Sequence, residues 1–335
     1  MLTVVWRTDL HLSDRAPRAR IDDWTETLCG KIRQVGQIAR EVKAKAILDG
    51  GDFFHIRSPT RNSHQLVVRA VEAHSGYPCP VYCCIGNHDV KYGDYTYLGE
   101  QPLGVLFQSG AFSRLYDEHE LLLTDGIYDD GGDFYQTLSV RVVGVPYHGT
   151  EYDLERLSSI TKGEEDYLVV VAHLLASPKG GSMFEGEDIL SYSQLSKLDP
   201  DVICFGHWHK NQGVEEIAPG KWVVNIGSLS RGALNQDDLS RTPSVAIIKF
   251  DHQYGGCIDI EQRPLKVVPP EEVFDLRGKA LTEARSTTVE KFVDSIQETL
   301  AESTGRDIPD LIREMDVPDK VKEQAILYWE QSDTK

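Results

Sequence analysis

Five apolar runs in this chain each end at once on side chains that can hold a metal ion, and no other feature restricts its fold as much. They are Val4-Val5-Trp6-Arg7-Thr8-Asp9-Leu10-His11, Ala46-Ile47-Leu48-Asp49-Gly50-Gly51-Asp52, Val81-Tyr82-Cys83-Cys84-Ile85-Gly86-Asn87-His88-Asp89, Leu168-Val169-Val170-Val171-Ala172-His173 and Val202-Ile203-Cys204-Phe205-Gly206-His207-Trp208-His209. In layered α/β folds the carboxyl ends of the strands converge on one edge, where ligands bind. Donors scattered from Asp9 to His209 then meet in one cleft. A single histidine after an apolar run is more often a core or surface residue than a ligand. Five such junctions in order point to a dinuclear metal site.

The residues between these runs support the layering. Strands are expected at 2–6, 45–48, 81–85, 139–145, 167–172, 202–205, 222–226 and 245–250. Residues 21–42 carry Trp24, Leu28, Ile32, Val35 and Ile38 near helical spacing, and residues 62–73 repeat the pattern, which gives a β-α-β-α-β opening. Gly50-Gly51 and Gly86 let the chain turn sharply enough for Asp52 and Asn87 to face a cation. Residues 129–133 and 177–182 read as loops, the second a candidate lid. Carboxylates and an amide oxygen are hard donors and imidazoles intermediate ones, so the mixed set suits Mn²⁺, Fe²⁺ or Zn²⁺ rather than Ca²⁺ or Mg²⁺ alone.

Composition bounds the partners. Lys and Arg total 35 against 53 Asp and Glu, a net charge of −18 that repels a polyanion unless metals or a basic groove act locally. Cys29, Cys79, Cys83, Cys84, Cys204 and Cys257 show no CxxC spacing and read as reduced core residues. No apolar run approaches the roughly 20 residues that cross a bilayer, so no membrane partner is expected. The start of the chain reads as a first strand rather than a signal peptide, which implies a cytoplasmic address.

Asp9-Leu10-His11, Gly51-Asp52, Gly86-Asn87-His88-Asp89, His173 and Gly206-His207-Trp208-His209 resemble the motifs of the calcineurin-like metallophosphoesterases. The resemblance implies a four-layer α-β-β-α sandwich. It also implies two divalent metal ions, most readily Mn²⁺, one held by Asp9, His11 and His209 and the other by Asn87, His173 and His207, with Asp52 bridging. Two such cations about 3.5–4 Å apart lower the pKa of a shared water and clamp a phosphoryl group. His88 is then left beside the site to stabilise or protonate the leaving oxygen, with Asp89 to orient it.

The stretch from Asp49 through Phe53-Phe54-His55-Ile56-Arg57-Ser58-Pro59 to Arg61 is similar to the SbcD-type nucleases of double-strand-break repair. Serine/threonine phosphatases would show Asp-Arg-Gly after this strand and Gly-Asn-His-Glu later. The likeness implies DNA as substrate, cut as exonuclease and endonuclease, with His55 helping to place the backbone. It implies further an SbcC-type coiled-coil ATPase as partner and a homodimer. Arg57, Arg61, Lys179, Lys210, Arg231 and Arg241 lie near motif loops and are candidates for phosphate contact.

The chain is longer than the roughly 250–300 residues at which single cores stop growing. Its texture changes after Arg263-Pro264-Leu265, and Pro269-Pro270 breaks any regular element. The expected division is a catalytic domain over 1–265 and a small helical capping or partner-binding domain over 266–335, with helices at 287–302 and 318–331. The second helix carries Val321, Ala325, Tyr328 and Trp329 as an apolar stripe. This C-terminal part is shorter and more helical than the usual nuclease cap. Two other readings stand beside the nuclease: a small-substrate phosphodiesterase or phosphomonoesterase of the same fold, which the acidic charge favours, and a non-catalytic scaffold, against which the full ligand set argues.

Overall fold

Leu2, Val4 and Trp6 lie on one side of the first strand and Thr3, Val5 and Arg7 on the other, and all six are buried. A strand covered on both faces belongs inside a layered structure. The computed structural model describes residues 1–58, 61–91, 94–117, 119–128, 134–149, 154–182, 188–251 and 257–276, with isolated positions between 309 and 326. Along it run β1 (Leu2–Arg7), β2 (Ala46–Asp49), β3 (Val81–Cys83), β4 (Ser113–Arg114), β5 (Leu121–Tyr128), β6 (Phe134–Val145) and β7 (Tyr167–Leu174). There follow β8 (Ala176–Ser177), β9 (Gly181–Ser182), β10 (Asp188–Ser191), β11 (Val202–His207), β12 (Gly213–Ala218), β13 (Lys221–Asn225), β14 (Ser244–Asp251) and β15 (Cys257–Pro264).

Two six-stranded sheets result, ordered β15-β14-β1-β2-β3-β4 and β12-β13-β11-β7-β6-β5, with a small third sheet β8-β10-β9. Between the large sheets Val4, Trp6, Leu48 and Ile248 face Val140, Val169, Val171 and Cys204. On the outer face of the first, Val5, Ile47 and Ile247 meet Leu28, Ile32 and Val35 of α1 (Trp24–Glu41) and Leu66 and Ala70 of α2 (His64–His74). On the outer face of the second, Val170, Ala172, Ile203 and Phe205 pack with Leu157, Tyr192 and Leu195 from short helical segments. The described residues up to Phe274 thus form a four-layer α-β-β-α sandwich. Each fully buried Val, Leu, Ile or Phe contributes about 1.5–3 kcal/mol, and a one-residue slip of β1 would carry Arg7 into the dry space between the sheets.

Caps set where the helices begin. Asp23 accepts the Glu26 N–H at 2.9 Å, so α1 starts at Trp24 rather than at 21, and Ser63 does the same for α2 by accepting from Leu66 N. Residues 177–182, expected as a loop, instead supply β9 and the end of β8, turning at Gly180 and Gly181. Cys29, Cys83, Cys84 and Cys204 are buried and Cys79 half-buried, all as free thiols.

The chain divides into two compact units, Met1–Phe274 and Asp275–Lys335. Past residue 265 the first unit continues: Leu265 N donates to Pro243 O, and Phe274 is buried against the Arg20 guanidinium, 4.8 Å from its ring centre. The helices expected at 287–302 and 318–331, and with them the apolar stripe, fall outside the described residues apart from isolated positions. Among the described residues no helix is long and apolar enough to cross a membrane.

β1, β2 and β3 are parallel, pairing Arg7 with Asp49 and Asp49 with Cys83. β7 and β11 are parallel too, pairing His173 with Gly206. The carboxyl ends of all five strands therefore open on the same edge of the sandwich.

Candidate metal centre

Short turns leave those strand ends, and they carry unusual backbone. Among the described residues six non-glycine positions have a left-handed φ, and four of them are Asp9 (52°), His11 (51°), Asp52 (51°) and His207 (79°). Such conformations cost on the order of 1–3 kcal/mol each and persist where the surroundings over-determine them, typically at functional sites. Gly51 (φ 90°) and Gly86 make the turn possible: a Cβ on Gly86 would lie 2.1 Å from Asp52 Oδ1, and one on Gly51 would lie 2.4 Å from Gly86 N.

Among the described residues the donor side chains gather in three groups, two of which share Asp52 while the third, His11, His55 and His88, lies toward the cleft. Donor atoms of Asp9, His11, Asp52 and His209 lie within 4.8 Å of one another, and so do those of Asp52, His173 and His207. His11 Nε2 and His209 Nε2 are 2.9 Å apart, and His209 Nε2 is 3.6 Å from Asp9 Oδ1. In the second group Asn87 Oδ1 sits 3.1 Å from His173 Nε2. His173 Nδ1 donates to Gly50 O at 2.8 Å, which turns Nε2 toward the shared carboxylate. Asp52 Oδ2 is buried without a hydrogen bond, 3.7 Å from His11 Nε2 and 3.5 Å from His173 Nε2. An orphaned carboxylate oxygen ringed by imidazole nitrogens fits a divalent cation on either side of it.

The same charges set a competition, since Asp52 favours a proton on His173 that a cation at Nε2 would displace. Burial disfavours the charge of Asp52, but His173 and His11 outweigh it and hold the carboxyl well below the usual range. Burial likewise works against the His173 imidazolium, yet Asp52 and Asp9 push it up to about 9. Burial drives His11 well below its ordinary value against the pull of Asp52, which leaves a neutral imidazole with a free lone pair.

His88 and His55 stand at the mouth. Their rings stack at 5.3 Å, and both lie within ring contact of His11. His88 N donates to Asp52 Oδ1 at 2.7 Å, and His88 Nδ1 donates to the His55 carbonyl at 2.7 Å. Asp89, expected to orient His88, instead accepts from Asp52 N (2.7 Å) and Gly86 N (2.9 Å). It fixes the turn that bears Asp52, because the fully buried carboxylate finds backbone donors closer than any ring.

A cleft of about 470 Å³ opens from these histidines, lined further by Arg15, Arg61, Trp24, Pro17, Ser228 and Ser230. Of the cations expected near phosphate, Arg61 lines it. Arg57 donates to Asn87 O, Arg231 to Val268 O, and Arg241 is engaged with Asp237, Asp238 and Ser230 O. No sequence signal marks Ser228, whose Oγ donates to Asp9 O at 2.7 Å while its N–H donates to His209 O at 2.9 Å. That one residue ties together the two distant loops that carry Asp9 and His209.

A family model described as calcineurin-like phosphoesterase matches residues 2–211. No curated protein matches the chain in sequence. Solved structures with a similar fold include TT1561 of Thermus thermophilus, 13% identical over 78% of this chain and 98% of that one at a TM-score of 0.41. A dimetal phosphatase from Danio rerio is 10% identical over 78% of this chain and 96% of its own, at 0.45. Purple acid phosphatase PPD1 from yellow lupin (Lupinus luteus) seeds is 13% identical over 78% of this chain, at 0.43, and the chain spans about half (51%) of its length.

Proposed function

The chain belongs to the calcineurin-like phosphoesterases, and from that premise we propose that it is an SbcD-type nuclease that hydrolyses phosphodiester bonds in DNA with two divalent cations, Mn²⁺ first among them. Asp9, His11 and His209 would hold one ion and Asn87, His173 and His207 the other, with Asp52 common to both sets. Bound there, such a pair would lower the pKa of water and neutralise charge on the phosphoryl oxygens.

The observation that carries the reading is the His55–His88 pair on the cleft wall. The His55 carbonyl can only accept, so His88 Nδ1 carries the proton and its Nε2 is the nitrogen left to exchange one. With its backbone fastened to Asp52 Oδ1, His88 keeps a fixed distance from the shared carboxylate and serves to protonate the departing sugar oxygen. Arg15 and Arg61, on the same cleft, suit flanking phosphates. Hydrolysis of a diester leaves a poor alkoxide leaving group, and that is the case in which a positioned acid matters most.

The net charge of −18 weighs against strong unaided DNA binding. In this reading an SbcC-type coiled-coil ATPase supplies the missing basic surface, in an assembly around a homodimer that acts in DNA repair or recombination. The same charge favours a second reading, a phosphoesterase for small substrates, which a cleft of about 470 Å³ accommodates. Purified chain with Mn²⁺, end-labelled single- and double-stranded DNA, p-nitrophenyl phosphate and bis-p-nitrophenyl phosphate separates the two. Cleavage of DNA, with or without an ATPase partner, supports the nuclease; hydrolysis of the small esters with no cleavage of any DNA sinks it.

A further inference from the structure

Arg7 is fully buried two positions before Asp9, and its guanidinium is committed to three partners. Nε donates to Asp49 Oδ2 at 2.7 Å, Nη1 to the Tyr77 hydroxyl at 3.0 Å and Nη2 to His74 Nε2 at 2.9 Å. Both of the latter are free to accept, because Tyr77 passes its own proton to Ile32 O and His74 Nδ1 donates to Ala70 O. Phe53 and Phe112 face the cation at 5.6 and 5.7 Å.

A buried ion pair is weak evidence for stability, since an apolar pair of similar volume often serves the core as well or better. What Arg7 and Asp49 do that an apolar pair cannot is bond the turn after β2. Asp49 Oδ1 accepts the Gly51 N–H at 3.0 Å, and Gly51 O accepts the Asp9 N–H at 3.1 Å. The residue after Gly51 is Asp52. One residue is therefore tied through its N–H to the ion pair, through its carbonyl to Asp9, and covalently to the carboxylate common to two of the donor groups.

We infer that Arg7 is a positioning residue for the metal pair. Acting through Asp49, it fixes Gly51 and with it the spacing between the Asp9 and Asp52 carboxylates. A loosened Gly51 leaves either carboxylate able to hold one ion but removes the geometry in which two are held together. The inference rests on the metal-centre reading and not on DNA as the substrate.

The test replaces the pair by an apolar one, Arg7→Met with Asp49→Leu. It reads Mn²⁺ binding by calorimetry and by the electron paramagnetic resonance spectrum of the loaded protein, with Tm measured alongside. The expected result is a folded protein that binds the first ion normally, binds the second about 10–100-fold more weakly, and loses the spin-coupled signal of a manganese pair. A folded double variant that binds two ions with wild-type affinity overturns the inference. If the double variant does not fold, Arg7→Lys carries the same measurement, because it keeps the charge and loses the planar fork; a weakened second ion is expected there, and wild-type affinity is the overturning result. Cleavage is not read, so a wild-type chain that binds two ions yet cuts no DNA removes the nuclease reading alone, whereas fewer than two ions in the wild type removes both.

Discussion

Asp52 Oδ2 lies 3.5 Å from His173 Nε2, buried and without a hydrogen bond, although the two residues come from different sheets of the sandwich. In water such a carboxylate oxygen would be solvated, and in a protein core it normally finds a donor. Asp52 also belongs to two of the donor groups, so a metal pair held as proposed would depend on its charge. Asp52→Asn keeps the shape and removes the charge, so Mn²⁺ stoichiometry should fall from two to at most one. Activity should drop about 10³-fold or more, since metal stabilisation of the transition state is worth several kcal/mol. Two tightly bound ions in Asp52→Asn, seen by calorimetry, contradict a shared ligand.

His88 belongs to neither of the donor groups that contain Asp52, though it forms a third with His11 and His55, and its N–H is bonded to Asp52 Oδ1. As a proton donor to the leaving oxygen it should contribute about 10²–10⁴-fold to kcat on DNA. His88→Ala should show that loss with both ions still bound. On bis-p-nitrophenyl phosphate the loss should be much smaller, because p-nitrophenolate departs without a proton. Equal losses on the two substrates would show that His88 acts on something other than the leaving group.

Gly86 has no room for a side chain: a Cβ there would lie 2.1 Å from Asp52 Oδ1 and 2.6 Å from Asp52 N. Both contacts belong to the turn that presents the shared carboxylate, so Gly86→Ala must displace it. Overpacking costs about 1–3 kcal/mol, which a core of this size survives. The expectation is a folded protein with slightly lowered Tm and severely weakened Mn²⁺ binding. Normal manganese uptake by the variant would mean that Asp52 can move without consequence.

The sequence announces strands that are buried on both faces and hides those that are not. β1, β7 and β11 read as continuous apolar runs because helices or the other sheet cover each side. β12 and β15 carry Glu215, Glu216, Asp259 and Glu261 because they are sheet edges with one face toward water, and that polarity disguises them. At the site the same rule holds: donors placed straight after buried strands are legible, and their convergence follows from parallel strands ending on one edge. The bonds that fix them are not. Ser228 reaches Asp9 O across most of the unit, Asp89 bonds the Asp52 turn rather than His88, and Arg7 meets Asp49 only because β1 and β2 pair in that register. Those are properties of loop geometry and strand register, which no local residue pattern encodes.

The acid sensitivity of the fold should trace in part to His74. Its Nε2 accepts from Arg7 and its Nδ1 donates to Ala70 O, so it must be neutral, and burial followed by the Arg7 charge holds it well below the ordinary histidine value. In the unfolded chain it titrates near 6.5. Below that pH the unfolded state takes up a proton that the folded state refuses, so the contribution of His74 is present above about pH 6.5 and is lost as pH falls toward its folded value. One such proton corresponds to a slope of at most about 1.4 kcal/mol per pH unit. Denaturant unfolding of metal-free protein between pH 7 and 5 should therefore show stability declining with acid. His74→Gln, which retains an acceptor for Arg7 but cannot titrate, should decline less steeply by up to that slope. Other histidines contribute equally to both proteins and cancel in the difference, so parallel curves for wild type and His74→Gln would show that His74 does not resist protonation in the folded chain.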